Sequence, residues 1–150
     1  MWDDITAAAA AESRLWADAA LPAGDQAREP VFSPLAPHRH AIGLETIYEG
    51  YLVHYGRSRL FAPSDRDTAL LLGDYLYAHG LVHIAASGDV KAVADLAELI
   101  SLCAQLRADG LTGDGLAWAA TSSSLGDGAA AEPAAGKTEA ALAAHARFVG

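Results

Sequence analysis

The chain has little cysteine, little positive charge, few aromatic residues and no long apolar run. A single cysteine, Cys103, in 150 residues excludes an internal disulfide and leads us to expect a cytoplasmic setting. It sits in the apolar stretch from Leu99 to Leu106 and reads as a small buried hydrophobe rather than a nucleophile. Ten Lys and Arg face nineteen Asp and Glu, a formal net charge of -9. Such a surface repels phosphate backbones and anionic lipid headgroups, which argues against nucleic-acid binding and against docking through a basic patch. No apolar run is long enough to span a bilayer, and the opening residues MWDDI place no basic region before an apolar stretch, so no signal peptide is expected. Aromatics make up only 7 % of the chain, and its 52 % hydrophobic content is weighted to alanine. Alanine loses no side-chain entropy in a helix, so this composition favours an all-helical fold, and the length suits one domain.

Capping and periodicity divide the chain into about six helices. The first runs from Asp3 or Asp4 to about Ala20 and stops at Pro22. Residues 22–37 carry four of the six prolines and read as an irregular connection. Leu44, Ile47, Tyr48, Tyr51, Leu52 and Tyr55 then recur at helical spacing on one face of a second helix, expected to end near Arg59 or Leu60. Gly43, Gly50 and Gly56 either weaken it or let a neighbour approach closely. Ser64 reads as the cap of a third helix, Asp65 to Ser87, apolar over most of its circumference and closed by Gly88. That breadth of apolar surface places it centrally or in an interface, with Leu72, Tyr75 and Leu76 as the candidate contact residues. Asp89 caps a fourth helix, whose stripe is Val93, Leu96, Ile100 and Cys103 and which ends at Gly110. A shorter one spans about Asp114 to Ser124. Residues 126–136 are a low-complexity linker expected to be mobile, and Thr138 caps a last helix to about Phe148. No strand is expected. Residues 1–37 form an N-terminal helix and connection, and residues 38–150 the main helical bundle of a single domain.

Few side-chain patterns point to chemistry. His79 and His83 share a helix face at metal-binding spacing, but no Glu or Cys stands at matching spacing, so surface or interface histidines are the preferred reading. His38-Arg39-His40 is a weaker pattern of the same kind. Asp3 and Asp4 suit a helix start without invoking catalysis. Ser122, Ser123 and Ser124 lack the Gly-x-Ser-x-Gly context of a nucleophile. The stripe Tyr48, Tyr51 and Tyr55 reads first as core packing.

Three stretches nevertheless resemble the trans-isoprenyl (polyprenyl) diphosphate synthases. Leu71-Leu72-Gly73-Asp74-Tyr75-Leu76-Tyr77-Ala78 resembles the family's Gly-Asp-Tyr-Leu helix. Glu45 to Arg59 resembles the helix that leads into the first aspartate-rich motif, with Leu52-Val53-His54 matching the lead-in. Gly136-Lys137-Thr138-Glu139-Ala140-Ala141-Leu142 resembles the family's Lys-Thr helix start. The resemblance covers roughly residues 38–150 and implies a truncated isoprenoid-synthase-like bundle.

The departures are equally specific. Tyr55, Gly56 and Arg59 stand where the family has aspartates, so this chain lacks the hard oxygen ligands that clamp magnesium on an allylic diphosphate. The second aspartate-rich motif, which would follow residue 150, is expected to be absent, as is a Gly-Gly-Lys-Arg-type motif from residues 22–37. The resemblance therefore implies no catalytic residue, no metal ligand and no cofactor in this chain. It implies an accessory, non-catalytic subunit of a heteromeric long-chain synthase, with the magnesium in a catalytic partner subunit. A homodimer is the other assembly, and a free-standing helical binding protein for a prenyl chain or quinone is the alternative function. By the same resemblance, Gly50 and Tyr51 correspond to the floor of the prenyl tunnel and Lys137 to a diphosphate contact, with Thr138 and Tyr55 as further candidate substrate-binding residues.

Overall fold

The computed structural model describes residues 1–126 and 135–149 and is all-helical. Seven α-helices follow one another: α1 (Trp2–Glu12), α2 (Arg14–Ala19), α3 (Ala41–Tyr55), α4 (Arg66–Ala85), α5 (Val90–Ala108), α6 (Asp114–Ser124) and α7 (Ala135–Val149). Short 3-10 turns at Ala23–Asp25, Ser33–Leu35 and His38–His40 carry the Pro-rich connection. Among the described residues the sole extended pairing is an isolated bridge between Ala20 and Phe61.

Where a helix end is written in its own residues, sequence and structure agree. Asp89 caps α5 by accepting the Ala92 N–H at 2.9 Å, and Gly88 and Gly110 take the positive φ values of +78° and +67° that favour glycine. The first helix is split: Ser13 turns extended and its hydroxyl caps α2 through the Leu15 N–H. Asp65, not Ser64, caps α4, accepting the Thr68 N–H at 2.8 Å. Helix α3 ends at Tyr55 rather than near Arg59 or Leu60, because Arg59 is drawn back into the core by two glutamates described below. Thr138 lies inside α7, which begins at Ala135. Most of the linker expected at residues 126–136 lies outside the described residues.

The centre of the bundle is α3, buried without interruption from Gly43 to Leu52, Glu45 and Glu49 included. It crosses α4 at close range because glycines face each other there. A Cβ on Gly50 would stand 2.9 Å from the Gly73 carbonyl oxygen, and one on Gly80 would stand 2.8 Å from the Gly43 carbonyl oxygen. Close approach, not helix weakening, explains Gly43 and Gly50. The main core joins α3 to α5, α6, α7 and the connection, through Phe32, Leu44, Tyr48, Leu96, Cys103, Trp118 and Phe148 among others. A second cluster joins Ile5 and Ala9 of α1 to Leu60, Phe61, Leu72 and Leu76. Residues 1–37 therefore fold onto the rest of the chain. No helix among the described residues is long and apolar enough to cross a membrane.

Candidate functional site

Two environments on α3 compete for attention, one closed and one open. The closed one is an ion cluster. Arg59 is fully buried, with its Nη1 2.7 Å from Glu45 Oε2 and its Nε 2.9 Å from Glu49 Oε2. Nη1 also donates to the Glu29 carbonyl at 2.8 Å, and the guanidinium lies over the rings of Trp2 and Tyr48. The carboxylates are saturated from the other side. Glu45 Oε1 accepts the Val31 and Ser33 N–H groups, each at 3.0 Å, and Glu49 Oε1 accepts those of Arg59 and Leu60 and the Ser58 hydroxyl. Burial works against the Arg59 charge, but the two glutamates outweigh it and hold its pKa above the ordinary arginine value. The cluster fastens the Pro-rich connection and the loop after α3 onto that helix. Arg59 is thus a structural counter-ion, aimed away from any open surface.

The open environment is a groove of about 540 Å³ at the C-terminal end of α3. That volume falls within the roughly 300–1,000 Å³ of small-molecule sites. Val53, Ala69, Leu70, Tyr77, Ile100 and Ala104 give it apolar walls from α3, α4 and α5. Its polar residues are His54, Tyr55, Arg66 and Asp74. His54 Nε2 lies 3.1 Å from Asp74 Oδ1, and the same ring fills the space over Gly73, where a Cβ would meet its Nε2 at 2.5 Å. Tyr55 is half-buried, and burial raises its pKa and that of Tyr77, so both stay protonated near neutral pH. The site thus offers an apolar trough with a guanidinium, an imidazole and phenolic hydroxyls along it. Such a lining suits binding and orienting a ligand, and Asp74 is its one carboxylate. No group of three or more His, Cys, Asp or Glu among the described residues is placed to hold a metal ion.

The residues singled out from sequence divide between these surroundings. Tyr55 lines the groove. Gly50 lies in the α3–α4 crossing, and Tyr51 is fully buried, its hydroxyl donating to Asp114 Oδ2 at 2.6 Å and accepting from Arg107 Nη2 at 2.8 Å. Tyr51 therefore belongs to the core. Lys137 is exposed and Thr138 half-buried on the first turns of α7, and neither lines the groove. Leu72 and Leu76, expected at an interface, are fully buried under α1, which uses the apolar breadth of α4 within this chain. Tyr75 is half-buried, stacked on Trp16 at 4.2 Å and on His79 at 5.3 Å. His79 and His83 lie edge to face at 5.7 Å, and burial lowers the His79 pKa. Cys103 is buried and its thiol is pushed up to about 12, so it is inert.

Sequence reasoning passed over Arg66, Leu70, Ile100 and Ala104 as site residues. Their signal exists only once three helices are packed, since each is unremarkable in its own helix. No protein-family model, curated protein or solved structure matches the chain.

Proposed function

We propose that this chain is a non-catalytic accessory subunit of a polyprenyl diphosphate synthase, and that its groove takes a stretch of the apolar prenyl chain. One observation carries the reading. Two of the stretches that resemble the synthase family, Leu52-Val53-His54 and Leu71 to Ala78, meet around this groove, joined by the His54–Asp74 contact. Leaving a methylene in water costs about 0.8 kcal/mol, so a growing prenyl chain needs such a dry wall. The chain supplies that wall without a metal clamp, since Tyr55, Gly56 and Arg59 provide no carboxylate. The exposed Leu71 and Val82 on the outer side of α4 offer apolar surface to a catalytic partner.

The test is reconstitution with a catalytic subunit from the same host that carries both aspartate-rich motifs. Alone, this chain incorporates no isopentenyl diphosphate in the presence of an allylic diphosphate and Mg²⁺. Added to the catalytic subunit, it shifts product length, and filling the groove by Ala104→Trp abolishes the shift. Incorporation by the pure chain, or an unchanged product distribution, overturns the proposal. The same groove supports the second reading, a free-standing carrier of a prenyl chain or quinone. That reading gains if the chain binds the lipid tightly while leaving the synthase unaffected.

A further inference from the structure

Helix α4 runs along the groove. Arg66, Ala69, Leu70, Asp74 and Tyr77 recur on it at helical spacing and line one side of the trough. The rise from Arg66 to Tyr77 is roughly 16 Å at about 1.5 Å per residue. Arg66 stands at one end of that line, on the first turn of α4. Beyond it the walls turn apolar, with Ala69 and Leu70 facing Ile100 and Ala104 of α5.

Arg66 has no hydrogen-bond or ion-pair partner among the described residues. Every other arginine meets a carboxylate or, for Arg57, a carbonyl oxygen. Partners are not scarce in a chain with nineteen acidic and ten basic residues. The nearby carboxylates are turned to other uses. Asp65 accepts the Thr68 N–H at 2.8 Å and the Thr68 hydroxyl at 3.0 Å, and Asp74 meets His54 Nε2 at 3.1 Å. Asp67 is the next residue in the chain, and adjacent residues do not face each other on a helix.

We infer that the groove takes a single-chain amphiphile whose anionic head, a phosphate or a carboxylate, pairs with Arg66 while its tail lies along α4 toward Tyr77. The inference rests on the reading of the groove as a site for an apolar chain, and adds the charge of the ligand and the direction in which it lies. The planar guanidinium takes either anion through two parallel N–H···O bonds, which a neutral head cannot match. The groove's own carboxylate opposes an anion weakly. Asp74 lies about 12 Å from Arg66 along the helix axis, beyond the screening length of about 8 Å at physiological salt, and both side chains are exposed. The same screening blunts the formal charge of -9.

Calorimetric titration of the full chain in EDTA at about 0.15 M salt, with farnesyl phosphate, farnesoate and farnesol, tests the inference. The expected result is saturable binding of an anion, on the order of tenfold tighter than farnesol, and the anion that binds more tightly names the head. Arg66→Gln should lower anion affinity to that of farnesol and leave farnesol binding unchanged, whereas Arg66→Lys should keep part of the preference. Arg66 is exposed, so both variants should match the wild-type unfolding midpoint. Equal affinity for all three ligands in the wild type, or an anion preference that survives in Arg66→Gln, overturns the inference. The groove reading then still stands, provided that Ala104→Trp abolishes farnesol binding. If none of the three ligands binds the wild type, both fall.

Discussion

The middle and the C-terminal end of α3 have opposite characters. Its middle, at Glu45 and Glu49, is closed by Arg59 into a cluster whose side chains have no exposure. One to two turns further on, Val53, His54 and Tyr55 open into a groove beside an exposed arginine. Charge at the first is used up in holding loops to the helix, whereas Arg66 and Asp74 at the second are exposed. Arg59 belongs to the frame of the bundle and not to the groove.

If the comparison is sound, substitutions at the closed end should cost stability and those at the open end should not. The largest effect is expected for Arg59→Met, which leaves two buried carboxylates without their counter-ion. A loss of about 3–5 kcal/mol is expected in denaturant unfolding. Adding Glu49→Gln, which removes one charge and keeps an acceptor for the Arg59 and Leu60 N–H groups, should recover part of that loss. A loss under about 1 kcal/mol for Arg59→Met would break the distinction between the two ends.

Gly73→Ala should rank next. Its new methyl would meet the His54 ring, so repacking is expected to cost about 1–3 kcal/mol and to disturb the His54–Asp74 contact at the groove as well. An altered His54 ring resonance in the variant's NMR spectrum checks the second effect. Tyr51→Phe removes one hydroxyl from the cluster with Asp114 and Arg107, and about 1 kcal/mol should be lost. Because Tyr51 does not line the groove, this variant should leave product length with the catalytic partner unchanged. A lengthened product would return Tyr51 to a tunnel floor. At the small end, Ala104→Trp sits on an exposed groove wall and should alter stability by no more than about 0.5 kcal/mol.

Which of these features could be read from the sequence follows from how local they are. Asp89, Gly88 and Gly110 mark helix ends through bonds within four residues, and the all-helical fold was legible from such signals and from alanine content. The end of α3 was not, because it depends on Arg59 reaching back ten and fourteen residues to Glu49 and Glu45. Nothing local marks those glutamates as buried, since their neutralising partner lies outside the helical repeat. Tyr51 lies in the core, as its place in the aromatic stripe leads one to expect, but its polar partners Asp114 and Arg107, 63 and 56 residues away, were not legible. Of the groove, the stretches holding His54, Tyr55 and Asp74 were singled out through a resemblance. The remaining walls on α4 and α5 required the packing itself.

The most direct test of the account is calorimetric titration of the chain with geranylgeranyl diphosphate in EDTA, in the wild type and in Ala104→Trp. Saturable, metal-independent binding by the wild type, lost in Ala104→Trp while its unfolding midpoint is unchanged, is the predicted result. No binding by the wild type, or equal binding by both proteins, would contradict it.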